Sequence, residues 1–431
     1  MLAESKSIIK GDFIKDFFVY SAGSIFTQIN NVILIFFFMH YLPADAVGFF
    51  SLSTSSILLI STLISCGLRQ FFMLEFFNLA SDARKRLVND IIAIYIIISI
   101  GVFFVAWLVH KPINRLFFAD LPPLWLYILI FLQIFLIFFT ELFYQALMYT
   151  LQSKQITLIK SIMALFVTGG SIIAIFYCSY GVEAVVVIQL IASIILCLYA
   201  FTMYRARHMV SFFDGGRALG KSRAILQASA PLMPTVLAGL LLASGNRWVL
   251  SAQASLADVA VYSIAEYVAP LFNLLILYPL GGAYLPRIMQ LFNQASLGSI
   301  CRIEDDNKKI MWSSMALVFF IGSGLYLIAR PIALHCLPVG YHGAILGAYL
   351  IFLANIFLMG TFFTTSLLLY AKKSGLLLLG IACAAGINLA LTFFLAPHYG
   401  MHAAYASYLI AYFCYFSLIY LFNVHIAQRL G

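Results

Sequence analysis

Three ionisable side chains fall inside otherwise apolar stretches: Glu141, Arg247 and Glu266. A charge at the centre of a bilayer costs about 2.5–3.5 kcal/mol on insertion scales, so such residues normally face a bundle interior or water. Arg247 sits just before a short turn. Asp258 follows that turn, and Glu266 lies about 12 Å further along a helix that rises 1.5 Å per residue. Two helices joined there form a hairpin, so Arg247 can meet either Glu266 or Asp258. Two readings stay open. One is an ion pair that keeps both charges in the membrane and locks the hairpin. The other is an anion site facing a cavity, where the planar guanidinium donates two parallel hydrogen bonds to a phosphate and Glu266 serves as a proton-sensitive partner. Glu141 lies near the far end of its apolar run and reads as an interfacial or packing carboxylate. Arg69 closes the second run, where it either snorkels to headgroups or guards an entry.

Neutral polar side chains accompany these charges. Gln28, Asn30 and Asn31 in the first run, with Asn273, Asn355 and Asn388 later, suggest a wet interior, although each alone also suits helix–helix hydrogen bonding. Pro231, Pro234, Pro270 and Pro279 interrupt the seventh and eighth runs and mark a bending element. Two other patterns carry no chemistry. Gly215-Gly-Arg-Ala-Leu-Gly220-Lys221-Ser222 matches the phosphate-cradling P-loop pattern. That motif needs a strand before it, a helix after it and a nucleotide domain around it. A short linker between membrane helices has no room for them, so no ATP is expected to bind. His398 and His402 have the i, i+4 spacing of metal ligands, but Gly400 lies between them and no third ligand is near, so no metal is expected. The seven cysteines show neither metal nor disulfide spacing and read as small apolar fillers.

The elements that must position these residues are membrane spans. The 431 residues are 63% hydrophobic and 10% charged, where a soluble domain carries about 25% charged residues. A spanning helix takes about 20 apolar residues. Such runs occur at 17–39, 47–68, 88–109, 123–146, 161–178 and 183–204, and again at 229–251, 258–280, 310–329, 345–370, 375–395 and 401–423. Barrel strands would alternate in polarity, and Phe131-Leu-Gln-Ile-Phe-Leu-Ile-Phe-Phe139 does not. Lysine and arginine fix the orientation. With the N-terminus inside, Lys111, Arg115 and Arg330 are the outside bases, and nearly all the rest of the 25 fall inside. That bias orients the chain with both termini in the cytoplasm. It also accounts for the net charge of +9 by contact with anionic lipid, not nucleic acid. The first run is too long for a signal peptide and has no small-residue cleavage site after it.

The expected fold is therefore an all-α integral membrane protein with about twelve transmembrane helices in two six-helix bundles around a central cavity. The basic segment 205–223 reads as a linker between an N-terminal lobe, 1–204, and a C-terminal lobe, 224–431. The lobes echo one another: Ala46-Val-Gly-Phe-Phe-Ser-Leu52 follows the first span and Asp258-Val-Ala-Val-Tyr-Ser-Ile264 follows the seventh. Parallel repeats of this kind place a substrate cavity between the halves of a transporter. The outside loops are all short, which argues against an enzyme working on periplasmic sugars.

Pro231-Leu-Met-Pro234 with Ser244-Gly-Asn-Arg-Trp-Val-Leu250 resembles the seventh span of bacterial polysaccharide (O-antigen) flippases. Leu256-Ala-Asp-Val-Ala-Val-Tyr-Ser-Ile-Ala265 is similar to the segment that follows it there, and Pro43 through Leu52 to their first turn. These flippases belong to the multidrug/oligosaccharidyl-lipid/polysaccharide export superfamily. The resemblance implies a transporter, not an enzyme, in the bacterial inner membrane. Its cargo would be an undecaprenyl-diphosphate-linked oligosaccharide moved from the cytoplasmic to the periplasmic leaflet by alternating access, for O-antigen or a related surface polysaccharide such as lipopolysaccharide. Cationic cavity residues, here Arg247 and Arg69, would hold the diphosphate. Glu266, Asp258 and Glu141 would be coupling or ion-pair residues. Gln28, Asn30, Asn31, Asn273 and Asn355 would line the cavity. The family often carries an Asp-Arg pair where this chain has Asn246 and Arg247, which leaves Glu266 or Asp258 to supply the acid. No cofactor is implied, proton or Na⁺ coupling is open, and a polysaccharide polymerase and chain-length regulator are the implied protein partners. The alternatives are a drug or cation antiporter of the same superfamily, which would want a buried carboxylate cluster in one lobe, and a membrane polysaccharide polymerase.

Overall fold

The computed structural model describes residues 23, 25–75, 81–108, 110–111, 123–149, 153–178, 181–208, 215–277, 284, 287–289, 291–292 and 297–430. Among these every regular element is helical. In chain order they are α1 (Ile25–Tyr41), α2 (Ala44–Ser65), α3 (Leu68–Glu75), α4 (Ser81–Leu108), α5 (Leu124–Tyr149), α6 (Ser153–Phe176), α7 (Val182–His208) and α8 (Gly215–Ser229). Then follow α9 (Met233–Gln253), α10 (Leu256–Glu266), α11 (Val268–Phe272), α12 (Leu297–Cys336), α13 (Gly343–Tyr370), α14 (Ser374–Tyr399) and α15 (Met401–Leu430). Eleven stretches are long and apolar enough to cross a membrane, and α1 is a shorter apolar helix. They coincide with the twelve expected runs within a few residues at most ends. The start of the first run and the end of the eighth, with Pro279, lie outside the described residues. The chain is a multi-pass membrane protein.

Local sequence explains the breaks. Helix α2 starts behind Pro43, whose carbonyl accepts from Ala46 N at 3.0 Å. It stops at Cys66 and Gly67, with φ of 45° and 74°, a left-handed exit that glycine accepts without a Cβ clash. A Cβ on Gly67 would lie 2.2 Å from Ser229 O. A 3₁₀ turn at Ala230–Leu232 holds Pro231 and leads into α9. Ser255 caps α10 by accepting from Asp258 N at 3.0 Å. Proline offers no N–H and crowds the carbonyl four residues back. Pro270 therefore cannot close a bond to Glu266, and the helix breaks at Tyr267 between α10 and α11. A π-helical segment follows at Asn273–Leu277. Of the prolines expected to make a bending element, Pro231, Pro234 and Pro270 thus sit at the 3₁₀ turn, at the start of α9 and just after the break at Tyr267.

The chain divides into two compact units. The first is Met1–Leu42 with Ser53–Leu237, and the second is Pro43–Leu52 with Ala238–Gly431. The division falls within α2 and α9, not in 205–223. The reason is α8: this helix, expected as a linker, packs against α3 and α4 and so belongs to the first unit. Residues 209–214 lie outside the described residues. The P-loop-like stretch is helical from Gly215 onward, so its glycines form no phosphate-cradling loop.

In the first unit α5 packs on α7, and α7 on α6. Tyr95 stacks on Phe138 at 3.7 Å between ring centroids. In the second unit α13 lies between α12 and α15, and α15 packs also on α14. Gly347 lets α13 approach α15 closely, since a Cβ there would meet the Tyr405 ring at 2.1 Å. Small residues at such contacts are the usual means of close helix packing in lipid. The apolar face of α12, with Leu317, Phe320, Leu325 and Ile328, is exposed and suits lipid contact.

Candidate functional site

Each unit carries one polar cluster that the sequence pointed to. In the first, α1, α5, α6 and α7 line an open cavity of about 340 Å³ whose polar lining residues include Asn31, Gln133, Glu141, Lys160, Thr168 and Gln189. Lys160 Nζ stands 4.3 Å from the centre of the Tyr144 ring, a cation–π distance. A second cavity of about 210 Å³ is lined by Ser61, Thr62, Ser65, Arg69, Gln70 and Glu141, and Glu141 and Ile137 line both. Arg69 Nη1 lies 3.8 Å from Glu141 Oε2, with the side chains 36% and 40% exposed. An ion pair this long and this open contributes little to stability. The Arg69 Nε is buried without a hydrogen-bond partner.

Glu141, expected as an interfacial or packing carboxylate and as a coupling or ion-pair residue, lines both cavities and lies beside Arg69. The cavities also add Lys160, which the expected span boundary at 161 left in a turn. Helix α6 begins at Ser153, which places Lys160 well inside it. The signal was available, since Lys160, Met163, Ala164, Val167 and Thr168 form one helical stripe and all five line the larger cavity.

In the second unit Arg247 and Glu266 meet. Arg247 Nη2 is 2.8 Å from Glu266 Oε2, with side chains 16% and 10% exposed. The contact is a close, largely buried charge pair. Arg247 Nη1 also donates to Ser51 O at 3.5 Å. The pair therefore ties the α9–α10 hairpin to the first turns of α2. Asp258 is not Arg247's partner. Its carboxylate accepts from Ser255 Oγ at 2.6 Å and from Met401 N at 3.1 Å, and so it joins α10 to the start of α15. Asn246 is buried and fully engaged: it donates to Tyr262 OH and Ala404 O, each at 3.2 Å, and accepts from Thr392 at 2.9 Å. Asn388 donates to Leu242 O at 3.1 Å.

The remaining polar candidates divide. Asn31 lines the 340 Å³ cavity. Gln28 is half-buried. Asn30 and Asn355 are buried and donate their amide N–H groups to Phe26 O and Ile351 O of their own helices. Asn273 opens the π segment with its carbonyl oxygen buried and unpartnered. His398 ends α14, His402 lies in α15, and Gly400 at φ 53° separates them, so the two imidazoles do not share a helix. Among the described residues no three His, Cys, Asp or Glu side chains stand together.

With this geometry in place, comparison with known proteins decides the family. Residues 13–292 match the Polysacc_synt family, "Polysaccharide biosynthesis protein". The chain belongs to that family. Among solved structures it is similar to the lipid II flippase MurJ in an inward closed conformation, with a TM-score of 0.71 at 15% identity over 96% of this chain and 90% of that one. It is equally similar to an inward-facing multidrug resistance MATE transporter of the MOP superfamily, with a TM-score of 0.71 at 12% identity over 94% of this chain and 95% of that one. A MOP superfamily transporter from Pyrococcus furiosus follows at 0.54, 12% identity, and 97% and 96% coverage. At such identities the likeness establishes a shared transporter fold. No curated protein sequence matched.

Proposed function

We propose that the protein is a flippase for an undecaprenyl-diphosphate-linked oligosaccharide, carrying it from the cytoplasmic to the periplasmic leaflet of a bacterial inner membrane by alternating access. The supporting observation is the pair of open cavities in the first unit, where Lys160 and Arg69 stand among amides, hydroxyls and apolar side chains of helices long enough to cross a membrane. Such a wall suits a diphosphate followed by sugars: the cations meet phosphate oxygens and the amides and hydroxyls meet sugar hydroxyls. Family membership supports the same reading, and the named substrate of one structural neighbour, lipid II, is itself lipid-linked. O-antigen or a related surface polymer is the proposed product line, with a polymerase and chain-length regulator acting on the flipped unit. Both termini are proposed to be cytoplasmic, from the lysine and arginine bias.

In this reading Arg69 and Lys160 are the anion-binding residues. Arg247 acts at one remove, by holding the α9–α10 hairpin in shape with Glu266. The test is translocation of a short-chain undecaprenyl-diphosphate oligosaccharide in proteoliposomes. A charge-assisted hydrogen bond is worth about 1.5–3 kcal/mol, so Lys160→Ala and Arg69→Ala should each lower the rate by roughly 10- to 100-fold, at a tenfold change per 1.4 kcal/mol. Wild-type rates in both variants would remove the diphosphate from these cavities. Efflux of organic cations, with no movement of the lipid-linked sugar, would favour the antiporter reading that the MATE likeness also permits.

A further inference from the structure

The first unit holds a third cavity, apolar where the other two carry charged and polar side chains, and nothing above uses it. Helices α2, α4 and α5 line it as a groove of about 280 Å³. Ile64, Phe131 and Ile134 are buried at its floor, and Ile100, Phe103 and Leu132 are exposed at its rim. The Phe103 and Phe131 rings meet edge to face at 5.9 Å, which packs rim against floor. Ser99 is the one hydroxyl among the lining residues. All three helices are long and apolar enough to cross a membrane, and an exposed apolar rim on such helices suits hydrocarbon. A dry apolar cavity of about 150 Å³ holds a benzene molecule, so this groove has room for roughly one or two five-carbon units of a chain.

The groove adjoins the cavity of Arg69 and Glu141 along two helices. On α5, Ile134 lines the groove, while Phe138 and Glu141 line that cavity. Residues spaced in this way share one helical face. On α2, Ile64 lines the groove, while Ser61 on the same face and Ser65 next to it line the cavity. At 1.5 Å per residue, Ile134 and Glu141 are about 10 Å apart along α5. The polar side extends further, because Ile137 and Glu141 also line the cavity that holds Lys160. A ligand that follows this run has an apolar chain, an anion beside it and a large polar head beyond. A bilayer phospholipid, with two chains on a small head, matches only part of it.

We propose that the groove between α2, α4 and α5 binds the first isoprene units of a polyprenyl chain whose phosphate lies at Arg69, a site that rests on the cargo proposed above. The branched and aromatic lining meets a methyl-branched chain by apolar contact alone, and Arg69 meets the phosphate. The direction of the run is also that of a lipid in one leaflet. With α5 running from periplasm to cytoplasm, as proposed, the groove lies toward the bilayer centre and Arg69 toward the cytoplasmic face. The chain and head of a lipid in the cytoplasmic leaflet have this order, so the groove serves loading and not release.

The test uses the full-length protein in nanodiscs and undecaprenyl phosphate carrying a diazirine in the isoprene unit nearest the phosphate. After irradiation the labelled peptides are mapped by mass spectrometry. Label should concentrate on the groove-lining parts of α4 and α5. Unlabelled undecaprenyl phosphate should suppress it, and excess phosphatidylglycerol should not. Ile100→Trp and Leu132→Trp fill the groove from α4 and from α5 at exposed positions, so each should keep the wild-type Tm. Excluding two methylene groups from an apolar site weakens binding roughly tenfold, and the label in each variant should fall by about that factor. Equal suppression by phosphatidylglycerol overturns the proposal, because the groove then holds ordinary bilayer lipid. So does label spread over the exposed face of α12, or undiminished label in a Trp variant that melts as wild type does. Sugar movement in proteoliposomes with no label in the groove would remove the groove and leave the cargo standing. Label in the groove with no sugar movement would do the reverse, and the site would serve a polyprenyl lipid with another head.

Discussion

Arg247 and Glu266 form a buried charge pair in the second unit, 2.8 Å apart. Breaking a buried pair by removing one partner costs about 3–5 kcal/mol, while replacing both with well-packed apolar residues is often neutral. Arg247→Ala should therefore unfold well below wild type in a thermal melt, and Arg247→Met with Glu266→Leu should recover most of the loss. If the double variant is stable and still moves substrate, the pair is purely structural. A stable but inactive double variant would show that the charges also act in the cycle. Asp258 makes a contrasting case. It lies on the same hairpin, yet its carboxylate joins Ser255 to Met401 N, so Asp258→Asn should disturb the start of α15 more than the environment of Arg247. Amide hydrogen exchange at Met401 would report it, and unchanged exchange would remove the capping role.

At the scale of elements, the breaks in α2 and in α10–α11 carry the next predictions. Gly48 of α2 passes so close to the first residue of α10 that a Cβ would lie 1.9 Å from Leu256 O. Backbone cannot yield as a side chain can, so Gly48→Ala should destabilise by about 1–3 kcal/mol, the usual cost of overpacking, read as a lower Tm in detergent. Pro270 has the opposite character. Pro270→Ala should allow the missing bond to Glu266 O, join α10 to α11 across Tyr267, and slow amide exchange over 267–273. If the break is a working hinge, the straightened variant should transport more slowly while melting no earlier. Unchanged exchange would mean that packing, and not proline, makes the break.

For the whole molecule, orientation is the property most open to direct measurement. The proposed topology puts Cys336, an exposed free thiol at the end of α12, on the periplasmic side. A membrane-impermeant thiol reagent should label Cys336 in intact spheroplasts and should fail to label a cysteine placed at the C-terminus until the membrane is opened. The reverse pattern would invert the proposed topology. The two compact units also bear on this scale, because α2 and α9 each contribute to both. Those helices are where a change in one unit can reach the other through covalent structure.

The apolar runs alone determined the class of this protein and nearly every span, because hydrocarbon imposes length and polarity on each helix independently of its neighbours. Arg247 and Glu266 were legible as partners because they flank one short turn, and proximity in sequence constrains proximity in space. The rest depended on helices far apart in the chain. Glu141 meets Arg69 because α5 packs near α3, and Lys160 joins them only once α6 is known to begin seven residues before it. Glu304 is one of six charged residues between Arg302 and Lys309, yet it is fully buried in the folded chain. A residue's type and its local period follow from its own segment. Which side chains share a cavity, and which oxygens are left without a donor, is decided by packing between segments, which no single stretch of sequence contains.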